Sequence, residues 1–361
     1  MLIKAFFLKR INRFTVECKL NNKRIKAYLP NPGRLWEILI PGKIIYLKRI
    51  KNKFKVWAAE RNGNIICLDT HYTNNVAREI LKKGIIYEFK DYEIKEEVKI
   101  ENHRIDFVLK KGKEILPLEV KSCTLLSGEI AMFPDAITLR GKKHLEILAE
   151  NNGAILFIVH HPDVKYFLPD FHTDPLFSET LWRLRMKIII KAISIKWNKN
   201  ENFEFIRELK IPWHVYEKEG KDKGSYIIYG ELKRSISLKI GGLGEIFFKK
   251  GHYLYIGSSM NSLSSRIKRH LRKKKKLRWH IDYLIHYLEN IKPIPIRASE
   301  FLECSISKEI EKISDGFIKN FGSSDCRCKS HLYFLKENPF KDEKFLNILL
   351  KYRIDRLRKF I

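Results

Sequence analysis

Short apolar runs alternate with polar residues and are punctuated by glycine and proline through roughly the first seventy residues. The alternation predicts strands at 5–8, 15–20, 24–29, 43–49 and 54–58. Pro30-Asn31-Pro32-Gly33 and Ile40-Pro41-Gly42 are turn signals that bracket a short predicted helix at 34–39. Five or so strands in this length suit a small β-barrel, and the OB-fold is such a barrel that binds nucleic acid. From residue 74 the period changes. A helix at 74–83, a hairpin, a helix at 133–151 and a strand at 154–160 predict an α/β core around a mixed sheet. Polar breaks at 196–202 and 217–224 place a boundary between about 213 and 223. Beyond it come a strand from Gly224, a turn at Gly241-Gly242-Leu243-Gly244, a strand at 253–259, a helix opening near Leu263 and another helix at 300–312. No nucleotide-binding fingerprint surrounds that glycine-rich turn. The expected fold class is α/β and α+β multidomain: a barrel at 1–73, an α/β domain at 74–215, a second at 220–335 and a basic helical extension at 336–361.

The hairpin carries the most distinctive chemistry. Arg104-Ile105-Asp106-Phe107-Val108-Leu109 and Leu118-Glu119-Val120-Lys121 read as buried strands with charged groups set into them, joined by the turn Lys110-Lys111-Gly112-Lys113-Glu114. Glu119 and Lys121 share one face of their strand. With Asp106 opposite, two carboxylates and an ammonium converge, which is the D…ExK core of the PD-(D/E)xK nuclease fold. Mg²⁺ or Mn²⁺ suits those carboxylates, and the lysine suits a water attacking phosphorus. The plainer alternative is acids paired with lysines at a strand edge. Glu79 on the 74–83 helix is a candidate third carboxylate or an ordinary solvated one. Arg140 and His144, four apart on a helix, either address a phosphate together or are simply exposed.

The balance of 71 Lys+Arg against 42 Asp+Glu, a net charge of +29, calls for a polyanionic partner. Arg10, Arg13, Lys23, Arg24 and Arg34 offer phosphate contacts in the barrel. Arg266, Lys268, Arg269, Arg272, Lys273, Lys274, Lys275, Lys276 and Arg278 put nine basic residues into thirteen, read here as one helix directed at phosphates. No apolar run is long enough to span a bilayer, and the start lacks the apolar length of a signal peptide, so a cytoplasmic protein without a membrane partner is expected. Six cysteines in this length do not make a disulfide scaffold. The absence of glutamine alongside abundant Lys and Glu fits either a thermophile or an AT-rich genome.

Residues 1 to about 213 resemble the sugar fermentation stimulation protein A (SfsA) family through Leu29-Pro30-Asn31-Pro32-Gly33-Arg34-Leu35, Arg104-Ile105-Asp106-Phe107, Glu119-Val120-Lys121-Ser122-Cys123-Thr124-Leu125 and Phe133-Pro134-Asp135-Ala136-Ile137-Thr138-Leu139-Arg140-Gly141. The resemblance implies an OB-fold joined to a PD-(D/E)xK nuclease-like domain, and DNA binding. Residues from about 220 to 335 resemble a domain of unknown function related to GIY-YIG endonucleases, through Gly224-Ser225-Tyr226, Tyr255-Ile256-Gly257-Ser258, Arg266, Arg269-His270-Leu271, Glu303-Cys304 and Phe321-Gly322-Ser323-Ser324-Asp325-Cys326-Arg327-Cys328. That likeness implies that Tyr226, Tyr255 and Arg266 surround a scissile phosphate and that Glu303 holds a metal. Glu300 competes with Glu303 for the ligand position, and buried tyrosines packing a small sheet are the alternative. Ser225 and the long Tyr226–Tyr255 interval depart from the pattern, the latter implying an inserted hairpin.

Cys304, Cys326, Cys328 and His331 are four potential ligands for zinc, with reduced buried thiols as the alternative. The functional expectation is a DNA-binding protein with metal-dependent phosphodiesterase activity. The alternatives are a non-catalytic DNA-binding regulator built on nuclease folds and a charge-driven structural protein of chromatin type.

Overall fold

The computed structural model describes residues 2–100 and 103–361 and divides into two compact units, Met1–Trp213 and His214–Ile361. The first unit begins with an OB-like barrel. Its strands run in the order Lys23–Tyr28, Thr15–Leu20, Ile3–Asn12, Ile44–Ile50, Lys53–Arg61 and Asn64–Cys67. Parallel pairing of Ala27 with Phe54 closes the sheet on itself. Alternate residues such as Ala5, Phe7, Val16 and Cys18 fill its interior. The strand Asn64–Cys67 lies beyond those the alternation predicts.

The short helix expected at 34–39 is absent, and the segment is a turn. Arg10 binds the carbonyls of Gly33, Arg34 (3.1 Å), Asn31 (2.9 Å) and Arg13, while Leu35 sits at φ 53°. The chain there is tied to a guanidinium rather than to its own helical ladder. Arg10 is correspondingly a structural clamp, not a free phosphate contact.

The same unit continues into a six-stranded sheet. Its order is Phe203–Glu208, Ile189–Trp197, Ala154–Val159, Glu114–Cys123, His103–Lys111 and Glu93–Ile100. The central strand Ala154–Val159 pairs in parallel with both neighbours and is buried at every position. A parallel strand covered on both faces reads as one continuous apolar run. Ala154, Leu156 and Ile158 join the core under the helix His71–Lys82. Ile155, Phe157 and Val159 join the core under the helices Leu139–Glu150 and Pro175–Leu184. The helix expected at 133–151 therefore starts late. Ile130–Phe133 is instead a strand paired in parallel with Tyr166–Pro169, and Thr138 caps the helix by accepting Gly141 N–H at 3.0 Å.

The second unit holds an antiparallel sheet in the order Glu289–Arg297, Gly224–Leu232, Gly251–Ser259, Leu332–Leu335 and Gly316–Phe317. A separate hairpin, Ile236–Lys239 with Glu245–Phe248, fills the interval between Tyr226 and Tyr255. Two expectations need correction here. The basic run is not one helix, since Leu263–Leu271 ends there and Arg272 turns extended. Continued as a helix, the run would set like charges four apart, Arg269 on Lys273 and Arg272 on Lys276, and the chain leaves the helix before them. The helix expected at 300–312 is Glu303–Ile313, which puts Glu300 outside it. The tail read as a basic helical extension does contain a helix, Glu343–Arg353, and it buries Phe345, Leu346 and Leu349.

Candidate functional site

In the first unit, Asp106 and Glu119 reach one cavity of about 690 Å³, together with Lys121, Asn74, Asp135 and Arg140. The hairpin ladder runs from Lys111 opposite Glu114 to Phe107 opposite Leu118 and stops at the acids. In place of the next rung, Asp106 Oδ2 accepts Val120 N–H at 2.9 Å, while Oδ1 accepts from Asn74 Nδ2 at 3.1 Å. Burial, and then the charge of Glu119, push the Asp106 carboxyl above its ordinary value.

Glu119 is held differently. Lys121 donates to its Oε1, and His144 Nδ1 lies 2.5 Å from the same oxygen. Arg140 Nε donates to His144 Nε2 at 3.2 Å, and an arginine can only donate, so the His144 proton sits on Nδ1 and points at Glu119. Burial alone would raise Glu119. His144 and Lys121 outweigh it and hold the carboxyl below its ordinary value. Glu119 Oε2, in a residue only 3% exposed, has no hydrogen-bond partner.

An unpartnered buried carboxylate oxygen beside a second carboxylate is a donor set that suits a hard divalent cation. Asn74 and Asp135 are residues of the cavity that sequence reasoning missed as site members. Asp135 lies within one of the SfsA-like motifs and Asn74 opens the expected helix, but neither signalled a role. His144 is buried rather than exposed, and it holds Glu119 instead of a phosphate. Glu79 is solvent-facing, with its carboxylate 3.6 Å from Lys83. Arg34 stacks 5.0 Å over Trp36.

In the second unit, Tyr226, Tyr255, Arg266, Trp279 and Glu303 line a pocket of about 200 Å³. Tyr226 pairs with Gly257 across the sheet, and a Cβ on Gly257 would meet the Tyr226 hydroxyl at 2.3 Å, so the close approach requires glycine. The hydroxyl lies 2.9 Å from His270 Nε2, whose Nδ1 faces Asp282 Oδ1 at 3.2 Å. Burial pushes both phenols well above their ordinary values. The Arg266 guanidinium stacks 4.5 Å over Trp279. Glu303 is the first residue of its helix and accepts from Ser258 Oγ. Glu300 is not in the pocket wall and pairs instead with Lys359.

The basic run divides between structure and solvent. Arg269 makes two bonds to Asp282, at 3.1 and 2.9 Å, and Lys275 is buried 3.4 Å from the same carboxylate. Lys268, Arg272, Lys273, Lys274 and Lys276 are exposed or partly so. Cys304, Cys326, Cys328 and His331 converge, with one ligand atom from each lying within 4.8 Å of all the others. None of these three thiols belongs to the buried set, Cys18, Cys67 and Cys123.

Residues 8–68 match the SfsA N-terminal OB domain and residues 71–201 the sugar fermentation stimulation protein RE domain. Residues 225–353 match a domain of unknown function, DUF123. The chain is 40% identical over 209 residues to a sugar fermentation stimulation protein homolog of Saccharolobus solfataricus, covering 55% of this chain and 82% of the relative. It is 36% identical over 219 residues to a homolog from Thermoanaerobacter, covering 57% and 95%. The solved structure of Pyrococcus furiosus SfsA in complex with Ca²⁺ superposes with a TM-score of 0.55 at 28% identity, over 58% of this chain and 96% of that one. Among the described residues, no helix is long and apolar enough to cross a membrane.

Proposed function

The chain belongs to the sugar fermentation stimulation protein family through its first unit, and we propose that it binds DNA and cleaves its phosphodiester backbone at a divalent-metal site on Asp106 and Glu119. The observation that carries this reading is the buried, unpartnered Oε2 of Glu119 beside Asp106 in an open cavity. The first unit is PD-(D/E)xK nuclease-like in this reading. A solved relative from Pyrococcus furiosus is a complex with Ca²⁺, the same class of hard cation.

A bound Mg²⁺ or Mn²⁺ supplies Lewis acidity toward a phosphate oxygen. This chain's own residues do the rest. Lys121 lies beside Glu119 at the cavity wall, where its ammonium orients an attacking water and offsets negative charge developing at phosphorus. His144, fixed by Arg140, keeps Glu119 ionised and aimed, and the Arg140 guanidinium meets a neighbouring phosphate. The net charge of +29 gathers the polyanion.

The pocket of the second unit supports a second centre of GIY-YIG type. There the Tyr226 hydroxyl, held by His270 and through it by Asp282, would orient an attacking water; Arg266 would meet the phosphate and Glu303 would hold a metal.

The test incubates the full chain with labelled single-stranded, duplex and branched DNA in Mg²⁺, Mn²⁺ or EDTA. Cleavage should require metal, and Asp106→Ala or Lys121→Ala should abolish cleavage by the first centre while DNA affinity stays near wild type. Binding without cleavage on every substrate would leave a non-catalytic DNA-binding regulator.

A further inference from the structure

We propose that Cys304, Cys326, Cys328 and His331 bind one structural zinc ion, and that His331 transmits its placement to Glu303. Zinc bound tetrahedrally by sulfur at about 2.3 Å and nitrogen at about 2.0–2.1 Å sets S···S edges of about 3.8 Å and S···N edges of about 3.6 Å. The four ligand atoms lie within 4.8 Å of one another, and Cys326 Sγ is 3.4 Å from His331 Nε2. Closing the tetrahedron therefore takes side-chain adjustments of about an ångström or less, with no backbone movement. Three soft thiolates and an imidazole select zinc over the hard cations of the first unit. Four protein ligands leave no open coordination position, which makes the site structural rather than hydrolytic.

The ligands come from two places. Cys304 is the second residue of the helix Glu303–Ile313, and the other three lie on the loop that leads into Leu332–Leu335. That loop is anchored independently. His331 N donates to Phe321 O at 2.8 Å, its carbonyl accepts Ile256 N–H at 2.9 Å, and Gly322 N donates to His280 Nδ1 at 3.0 Å. His331 is 1% exposed, with Nε2 toward the thiols and Nδ1 2.8 Å from Glu303 Oε1, at ion-pair distance although out of line for a hydrogen bond. A zinc-bound histidine commonly turns its second nitrogen to a carboxylate, which fixes ring and carboxylate together. The zinc thus ties the helix start that carries Glu303 to the loop whose Phe321 packs against Tyr255. The positioning of Glu303 rests on the reading of the second pocket as a catalytic centre; the zinc site does not.

The test is metal analysis of the full chain, purified under reducing conditions without chelator. One zinc per chain is expected, released by a mercurial in step with three thiols. Cobalt in its place should give thiolate-to-metal charge transfer and tetrahedral visible bands. Cys304→Ser and Cys326→Ser should each lose the metal. Glu303→Gln should weaken zinc by roughly 10- to 100-fold, measured by chelator competition and independent of any cleavage. A wild type that takes up no zinc on reconstitution, that carries iron instead, or that releases zinc out of step with its thiols overturns the site, even if the cysteine variants fail to fold. Unchanged zinc affinity in Glu303→Gln overturns the coupling to Glu303 and leaves the zinc site standing.

Discussion

Replacing Asp106 with asparagine separates stability from metal binding at the first site. In the metal-free protein, Asp106 is a half-buried carboxylate beside Glu119, and its carboxyl is raised above its ordinary value of 3.8. A raised carboxyl stabilises the fold only while protonated, so that contribution is lost as pH rises from the ordinary value through the raised one. At neutral pH each unit of the shift costs about 1.4 kcal/mol. Asparagine removes the charge and keeps an acceptor for Val120 N–H, while its amide nitrogen takes the place of Oδ1 and can donate to Asn74 once that side-chain amide turns its oxygen inward. Asp106→Asn should therefore melt above wild type in EDTA at neutral pH, and the gap should close as pH falls. Metal reverses the order. At a hundred times its dissociation constant, a ligand of the native state adds about 2.7 kcal/mol. For a unit of this size that is roughly 5–10 °C in Tm. Wild type should gain that shift in Mg²⁺, Mn²⁺ or Ca²⁺, and the variant should gain little. The assay is a melting curve of the full chain in each metal and in EDTA. A wild type insensitive to all three cations, or a variant less stable than wild type in EDTA, refutes the reasoning.

His144→Ala should weaken divalent-metal binding roughly 10- to 100-fold by freeing Glu119, with the fold retained, as titration calorimetry would show. Neutralising Lys273, Lys274 and Lys276 should flatten the salt dependence of DNA binding by about 0.9 in slope for every DNA phosphate that is no longer neutralised, whereas Lys275→Ala should lower stability instead because it uncouples a buried partner of Asp282. A fragment of residues 214–361 should fold on its own, but one starting at Lys221 should be less stable by about 3–5 kcal/mol in urea melts. It would lack Glu219, whose buried carboxylate accepts from Arg356 Nη1 at 2.5 Å and from Ser299.

Much of the architecture is written locally. The barrel strands follow from alternation, and the doubly covered strand at 154–159 from an unbroken apolar run. The hairpin acids stand out because a charge inside a β-branched run demands a reason. What escapes the sequence is set by distant partners. Residues 130–133 join a strand because residues 166–169 lie beside them, which no local period encodes. His144 looks like one more polar residue on a basic helix until packing turns it onto Glu119. The lysine run satisfies a helical count, yet a helix would stack its basic residues four apart, and Asp282 holds Lys275 off that path. Asp282 announces nothing in sequence, although it gathers Arg269, His270 and Lys275 and the backbone N–H groups of Arg278 and Trp279.

Gly33 has a consequence for how the first unit can be altered. A Cβ at this position would lie 2.2 Å from Asp135 Oδ2, and Leu35 N–H reaches the same carboxylate at 3.4 Å. The barrel and the α/β sheet are thus keyed to each other at a single missing methyl group. A barrel transplanted from another protein must bring hydrogen alone to that spot or displace the Asp135 carboxylate. An alanine there should act as a wedge at the rim of the cavity, pushing the Asp135 carboxylate aside while leaving Asp106 and Glu119 unsubstituted.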